Sequence, residues 1–325
     1  MKGKAFAAAA LPLLVVLAVQ PARAGPGEDP LAWLTRAANS ARTTTYAGTI
    51  VQLAGDRTVT SRITHIFIAG SEHEKIESLD GPRREIVRHD DDFQCFYPDS
   101  KTVRFDRRVT ARFFPSLLHG APEAIAESYD LKLGKVERVM GQECQWIHLD
   151  PKDALRFAQR LCADVSSGLL LRAKTLGLHQ QVLEQYTFAN LRTGPEVSRG
   201  EVRSTFHSQS RNWRTDRQPR DEVKDVLTGW SVGAPPPGFR KVTEMLRKLP
   251  GRSQPVSQLV FSDGIATLSV FIEPMPSPAR TAEATKEDAD LSVFVRPMGE
   301  NLVTVLGEVP PAAVQQVGRS VARRP

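Results

Sequence analysis

The chain lacks most of the patterns that mark an enzyme. Its 325 residues hold three cysteines and seven histidines. No histidine falls in H-E-x-x-H or another close ligand spacing, so a zinc hydrolase is not indicated. There is no G-x-S-x-G nucleophile elbow and no glycine-rich phosphate loop. Ser262 has Asp263 beside it but no placed histidine. Cys95 lies in a strand without a basic neighbour to activate it. His65 alternates with Ile63 and Phe67 and reads as a satisfied sheet residue. The run His89–Asp92, HDDD, lacks the glycine and distant glutamate of a calcium loop and reads as a solvated turn. No reaction, metal or cofactor is suggested, and binding is the default.

Long apolar runs are absent after the first two dozen residues, which excludes a multi-span membrane protein. The run that is there, AFAAAALPLLVVLAV, follows Lys2 and Lys4 and precedes Ala22-Arg23-Ala24. That is the order of a cleavable secretory signal, residues 1–24. No cysteine sits at the cleavage point to carry a lipid anchor. Removing Lys2, Lys4 and Arg23 takes the formal charge from +6 to +3, so the basic balance is partly a property of the export segment. Nucleic acid is not an expected partner.

In an oxidising compartment two of three cysteines can pair. GQECQWIHL and RFAQRLCAD read as strands flanking the turn DPKDA. A hairpin centred near Asp153 sets Cys144 opposite Cys162, within reach of a disulfide. A Cys144–Cys162 bridge with a buried, unpaired Cys95 is expected; three reduced core thiols are the alternative.

The mature chain opens with one amphipathic helix. Asp29 is its N-cap, Pro30 its first residue, and Leu31, Leu34, Ala37 and Ala38 share a face. Short strands rich in β-branched and aromatic residues follow, separated by turn signals. A helical interruption at FFPSLLHGAPEAIAESY precedes four more. The expected fold class is α+β: a curved antiparallel half-barrel with helices on its concave face over residues 25–195, then a basic polar linker over 196–225, then a smaller α+β domain over 226–325. In that last part QLVFSDGIATLSVFIEP reads as strand, Asp263-Gly264 turn, strand. PSPARTAEATKEDAD reads as a loop, LSVFVRPMGENLVTVLGEVP as a second strand pair, and PPAAVQQVGRSVARR as a helix with Val314 and Val317 inward.

Ten stretches carry a family resemblance in order along the mature chain. They are YAGTIV, LDGPRREIVR, CFYPDSKTVRF, FPSLL, YDLKLGKVERVMGQECQ, LDPKDALRFAQRLCADVSSGLLLRAKTL, VLEQYTF, PPGF, VFSDGIATLSVFIEP and VLGEVPPAAV. With these the chain resembles the periplasmic sigma-E factor regulatory proteins of the RseB/MucB type. The resemblance implies an N-terminal domain like the LolA/LolB lipoprotein carriers, with an apolar cavity where pattern alone also allows a fully packed core. By alternation and helix phase its walls here are Trp33, Leu34, Ile50, Phe67 and Phe105. It implies a partner, the periplasmic segment of a membrane-anchored anti-sigma factor, shielded from regulated proteolysis and released by a lipid or lipopolysaccharide-type signal. Self-association is implied as well. The expected partner-binding residues are Pro237, Phe239, Arg240, Phe261 and Phe271, with a peptide adding to an exposed strand edge. A periplasmic lipid or lipoprotein carrier is the alternative function. One departure stands out: where relatives carry a small, glycine-containing stretch after the C-terminal hairpin, this chain has the charged MPSPARTAEATKEDAD, so contacts there do not transfer.

Overall fold

The computed structural model describes residues 29–107, 113–217, 226–247, 254–275, 283–288 and 291–324. The expected signal peptide lies outside them. Among the described residues no helix is long and apolar enough to cross a membrane.

Helix α1 (Pro30–Thr43) begins as its sequence dictates, with the Leu31 N–H donating to Asp29 Oδ1 at 3.0 Å. Its buried face is Trp33, Leu34, Ala37, Ser40 and Ala41. Six strands follow: β1 (Tyr46–Ala54), β2 (Arg57–Ile68), β3 (Ser71–Ser78), β4 (Glu85–His89), β5 (Asp92–Tyr97) and β6 (Thr102–Arg107). Helix α2 (Pro122–Ser128) interrupts them. Then come β7 (Tyr129–Val139), β8 (Gln142–Pro151), β9 (Ala158–Asp164), β10 (Leu170–Leu176), β11 (Val182–Thr193) and β12 (Arg214–Arg217). They make one twelve-stranded sheet in the order β12-β6-β5-β4-β3-β2-β1-β11-β10-β9-β8-β7. Every pairing is antiparallel except β12 on β6. Two meanders thus meet where β11 returns to β1, and the sheet curves around α1 and α2.

The concave side is packed rather than open. Trp33, Leu34, Tyr46, Ile50, Phe114 and Ile125 belong to one continuous buried cluster with the inward strand residues. Of the expected cavity walls, Trp33, Leu34 and Ile50 are therefore core. Phe67 shares their face but sits 37% exposed at the rim. Phe105 is on the other face: it pairs with Gln94, whose neighbours Phe93 and Cys95 point into the concave core. A one-residue parity error inverts a strand's faces, and the alternation that turns Phe105 inward is off by one residue.

The disulfide joins Cys144 to Cys162, and Cys95 is buried outside it. The expected register is off by two residues, which keeps both cysteines on one face. Cys144 lies opposite Asp164 and Cys162 opposite Trp146, so the bridge is diagonal, with Cα atoms 5.4 Å apart. It lies on the convex face beside Val139, Trp146 and Leu171.

The stretch read as a linker is structured as far as residue 217; residues 218–225 lie outside the described set. Single-turn 3₁₀ helices at Gly194–Glu196, Arg199–Val202 and Gln209–Asn212 carry it across the convex face. Val197 and Val202 pack on Ala47 and Ile66. The buried Glu85 carboxylate holds its middle, accepting from Ser204 Oγ at 2.6 Å, from the Thr205 N–H at 3.0 Å and from Thr205 Oγ1.

The C-terminal part contains β13 (Trp230–Val232), β14 (Arg240–Arg247), β15 (Val256–Ser262), β16 (Thr267–Pro274), β17 (Ala284–Asp288), β18 (Leu291–Met298), β19 (Asn301–Gly307), helix α3 (Pro311–Arg319) and β20 (Val321–Arg323). Six strands form a second sheet, β14-β15-β16-β19-β18-β17, and β13 pairs with β20. Helix α3 covers one sheet face, with Ala313, Val314 and Val317 fully buried against Val270, Phe294 and Val305. Three elements of this part were not anticipated: RKVTEMLR forms β14, ATKED, expected in a loop, forms the edge strand β17, and VAR, expected at the end of the last helix, forms β20 because α3 stops at Arg319.

We expect replacement of both Cys144 and Cys162 by alanine to lower stability by about 3 kcal/mol, the chain-entropy value for closing a loop of this size. Urea unfolding of the oxidised and double-variant chains measures it. Cys95 should resist a thiol reagent until the chain unfolds.

Candidate functional site at the seam between the two sheets

The hairpin β15–β16 is longer at its tip than an Asp-Gly turn. Ser262 pairs with Thr267, leaving four residues, Asp263 to Ala266, in the loop. Asp263 Oδ1 accepts from the N–H groups of Ile265 and Ala266 at 2.9 and 2.8 Å. Ser262 Oγ donates to the Ala266 carbonyl at 2.8 Å and accepts from the Gly264 N–H at 3.0 Å. These local bonds make the tip rigid. They also leave the second oxygen of Asp263 facing away from its own hairpin.

That oxygen meets the larger sheet. Arg156, in the β8–β9 connection, donates from Nη1 to Asp263 Oδ2 at 2.9 Å, and both side chains are fully buried. Asp153 binds the rest of the guanidinium, Nε at 3.2 Å and Nη2 at 3.1 Å. Nη2 also donates to the Pro237 carbonyl. The plane lies over the rings of Tyr129 and Phe239, 5.5 and 5.3 Å from their centroids. Tyr129 donates its hydroxyl to Asp263 Oδ2 at 3.4 Å. Burial first, then the Asp263 charge, raise the Tyr129 phenol well above its ordinary range, so it stays a donor. A fully buried charge is tolerated only when its partners surround it, and here two carboxylates, a carbonyl and two ring faces do so.

Apolar contacts reinforce the pair in both directions. Ile265 at the hairpin tip packs on the core of the larger sheet, and Leu155 beside Arg156 packs on the core of the smaller one. The backbone closes the seam: the N–H groups of His119 and Gly120 donate to the Gly264 carbonyl at 3.1 and 3.3 Å. Neither glycine tolerates a side chain. A Cβ on Gly264 would lie 2.8 Å from the Gly120 Cα, and Gly264 itself has φ +99°.

A second polar cluster lies near the C-terminal end of α1. Glu72 sits 3.8 Å from the His65 imidazole, 2.8 Å from Arg88 and 3.1 Å from Arg42. Together the imidazole and the two guanidinium groups hold its carboxyl down at about 2 against its burial. The bonds are the guanidinium groups', since 3.8 Å is too long for a hydrogen bond. Burial pushes the neighbouring Glu74 carboxyl upward instead. His65 is a satisfied sheet residue on one side only: Nδ1 lies 2.8 Å from the Thr44 carbonyl, and Nε2 has no hydrogen-bond partner.

The expected partner-binding residues divide. Phe239 and Phe261 are buried in the smaller core, and Phe239 flanks Arg156. Pro237 lends its carbonyl to the seam. Arg240 is exposed, and Phe271 is half-buried on the sheet face away from α3. At the sheet's edges, β14 accepts a main-chain bond from the Val226 N–H, whereas β17 is exposed at every position. The sequence marks Asp263 only as a turn residue and does not single out Arg156, so their pairing at the seam is not visible in it. A signal was there: an arginine between Leu155 and Phe157 in a turn otherwise polar.

Comparison with known proteins covers both sheets. The MucB/RseB N-terminal domain model matches residues 29–206 and the MucB/RseB C-terminal domain model residues 224–322. The sigma factor AlgU regulatory protein MucB of Pseudomonas aeruginosa is 29% identical over 311 residues, 94% of each chain. The structure of the P. aeruginosa MucA/MucB complex superposes with a TM-score of 0.75 at 27% identity, covering 92% of this chain and 100% of that one. A crystal structure of MucB gives 0.65 at 25% identity, over 92% of this chain and all of that one.

Replacing Asp263 by alanine strands a buried guanidinium, and we expect a loss of about 3 kcal/mol or more. Substituting both partners with apolar residues, Arg156→Met with Asp263→Leu, should cost less than the sum of the single changes. Urea unfolding across the four-member cycle measures this; strict additivity would show that the two charges do not interact.

Proposed function

The chain belongs to the MucB/RseB family of sigma-factor regulatory proteins, and from that premise we propose that it is a periplasmic negative regulator of the envelope-stress response. In this reading it binds the periplasmic segment of a membrane-anchored anti-sigma factor and shields it from the protease that makes the first cut. It works by stoichiometric cover and not by turnover. The observation that carries the proposal is the superposition, over nearly the whole chain, on a MucB bound to MucA. The seam supports it: with Arg156 and Asp263 joined, the two sheets present one rigid surface, so a bound segment need not order the domains as it binds. The docked arrangement is therefore the one proposed to grip the partner. Arg240, Phe271 and the β17 edge are the proposed contacts, since Phe239 and Phe261 are occupied in the core.

Release belongs to the same proposal. A lipid-type signal must favour the arrangement that does not bind; tight binding to both arrangements would shift nothing. A tenfold loss of partner affinity needs only about 1.4 kcal/mol of coupling. Self-association is proposed as a further property. The carrier reading gains no support from the concave face, which α1, Phe114 and Ile265 fill.

The test is reconstitution. The purified mature protein is mixed with the anti-sigma periplasmic segment and the first-site protease. Cleavage should slow in proportion to the regulator added and stop near equimolar amounts. An unchanged cleavage rate under molar excess would remove the shielding role.

A further inference from the structure

The outer face of the large sheet holds a cleft that the regulatory reading does not use. It has a volume of about 460 Å³ and lies between the sheet and the 199–207 stretch that crosses it. Its floor is apolar: Ile68 of β2, Val87 of β4 and Phe96 of β5. Its rim is basic. Arg199 and Arg203 come from the crossing stretch, with His207, and His73 stands on the sheet side. Burial and the neighbouring His89, whose ring stacks on it at 4.4 Å, lower the His73 imidazole below its ordinary value.

The rim charges are unmatched. Glu85, the acid beneath the crossing stretch, is consumed by Ser204 and Thr205. Glu201 is consumed by Arg192, at 2.8 Å, and by the Ser198 N–H. Among the described residues neither Arg199 nor Arg203 has an acidic partner, whereas Lys75, buried on the same face of β3, has Glu201 as a charged neighbour. The fold has thus anchored this stretch through one carboxylate and left its two guanidinium groups over an apolar floor.

We propose that this cleft binds a small amphipathic anion: a single alkyl chain on Ile68, Val87 and Phe96, with a carboxylate or phosphate head between Arg199 and Arg203. A guanidinium pair suits such a head by charge-assisted, bidentate bonds. The volume is that of a small-molecule site. A peptide is disfavoured because β2 to β5 are interior strands whose backbone groups are already paired, so the floor offers no edge for strand addition. The site lies on the face opposite the one lined by Trp33 and Leu34, and it does not depend on partner binding.

The test uses the full mature chain without any partner segment. Dodecanoate, below its micelle concentration, is titrated by calorimetry against dodecanol and acetate. One-to-one binding of dodecanoate is expected, with dodecanol weaker by about tenfold or more and acetate silent. The variant Arg199→Gln/Arg203→Gln, changed only at exposed positions, should lose about tenfold in dodecanoate affinity and keep the wild-type melting temperature. Equal affinity in the variant would place any binding elsewhere and overturn the proposal. So would equal affinity for dodecanol, or no binding of dodecanoate at all. An acidic, apolar peptide that binds in place of dodecanoate would overturn it as well. Because the protease is absent, each outcome is independent of the shielding result.

Discussion

One buried ion pair sets the relation of the two sheets. Arg156 and Asp263 lie 2.9 Å apart with no exposure of either side chain. Removing two charges from water is costly, and a buried pair adds stability only when its remaining donors and lone pairs are satisfied. Here the satisfaction is unusually complete, because Asp153, the Pro237 carbonyl and Tyr129 take the remaining sites. An apolar seam would slide or rotate at small cost. A guanidinium that must meet carboxylates from two sheets admits one arrangement. The rest of the seam follows from that geometry: a four-residue hairpin tip, two facing glycines, and the exchange of Ile265 for Leu155 between cores.

The same logic, a buried carboxylate imposing an arrangement on polar chain, recurs on the outer face. Among the described residues Glu85 has no cation; it binds Ser204 and Thr205 and so fixes the 199–207 stretch over the sheet. The Cys144–Cys162 bridge ties β8 to β9 on that face, at the end of the hairpin away from the connection that carries Arg156. Packed concave core, bridged convex face and locked seam together describe a body built to hold a surface still.

Much of this was legible because it is local. Alternation located most strands, Asp29 and Pro30 marked the start of α1, and Val314 and Val317 identified the inner side of α3. The cysteine pairing was legible because a diagonal and a directly opposed pair both bring Cα atoms near enough, so a two-residue register error, which keeps each side chain on its face, did no harm. At Phe105 a one-residue error was fatal, since parity decides the face. Long-range polar partnerships were not legible. Arg156 in DPKDALRF looks like any turn arginine until Asp263, 107 residues later, is placed beside it. The 194–217 stretch shows no period, because its anchors are isolated: two valines and one carboxylate from a distant strand. Asp263-Gly264 signals a turn correctly, but its burial depends on a surface that only the assembled fold supplies.

The central claim is that the ion pair holds the arrangement that grips the partner. Its most direct measurement is calorimetric affinity of the Asp263→Ala chain for the anti-sigma factor's periplasmic segment, with small-angle scattering on the same samples. We expect affinity to fall about tenfold or more as the radius of gyration rises. A chain with an opened seam that still bound the segment as tightly as the wild type would contradict it.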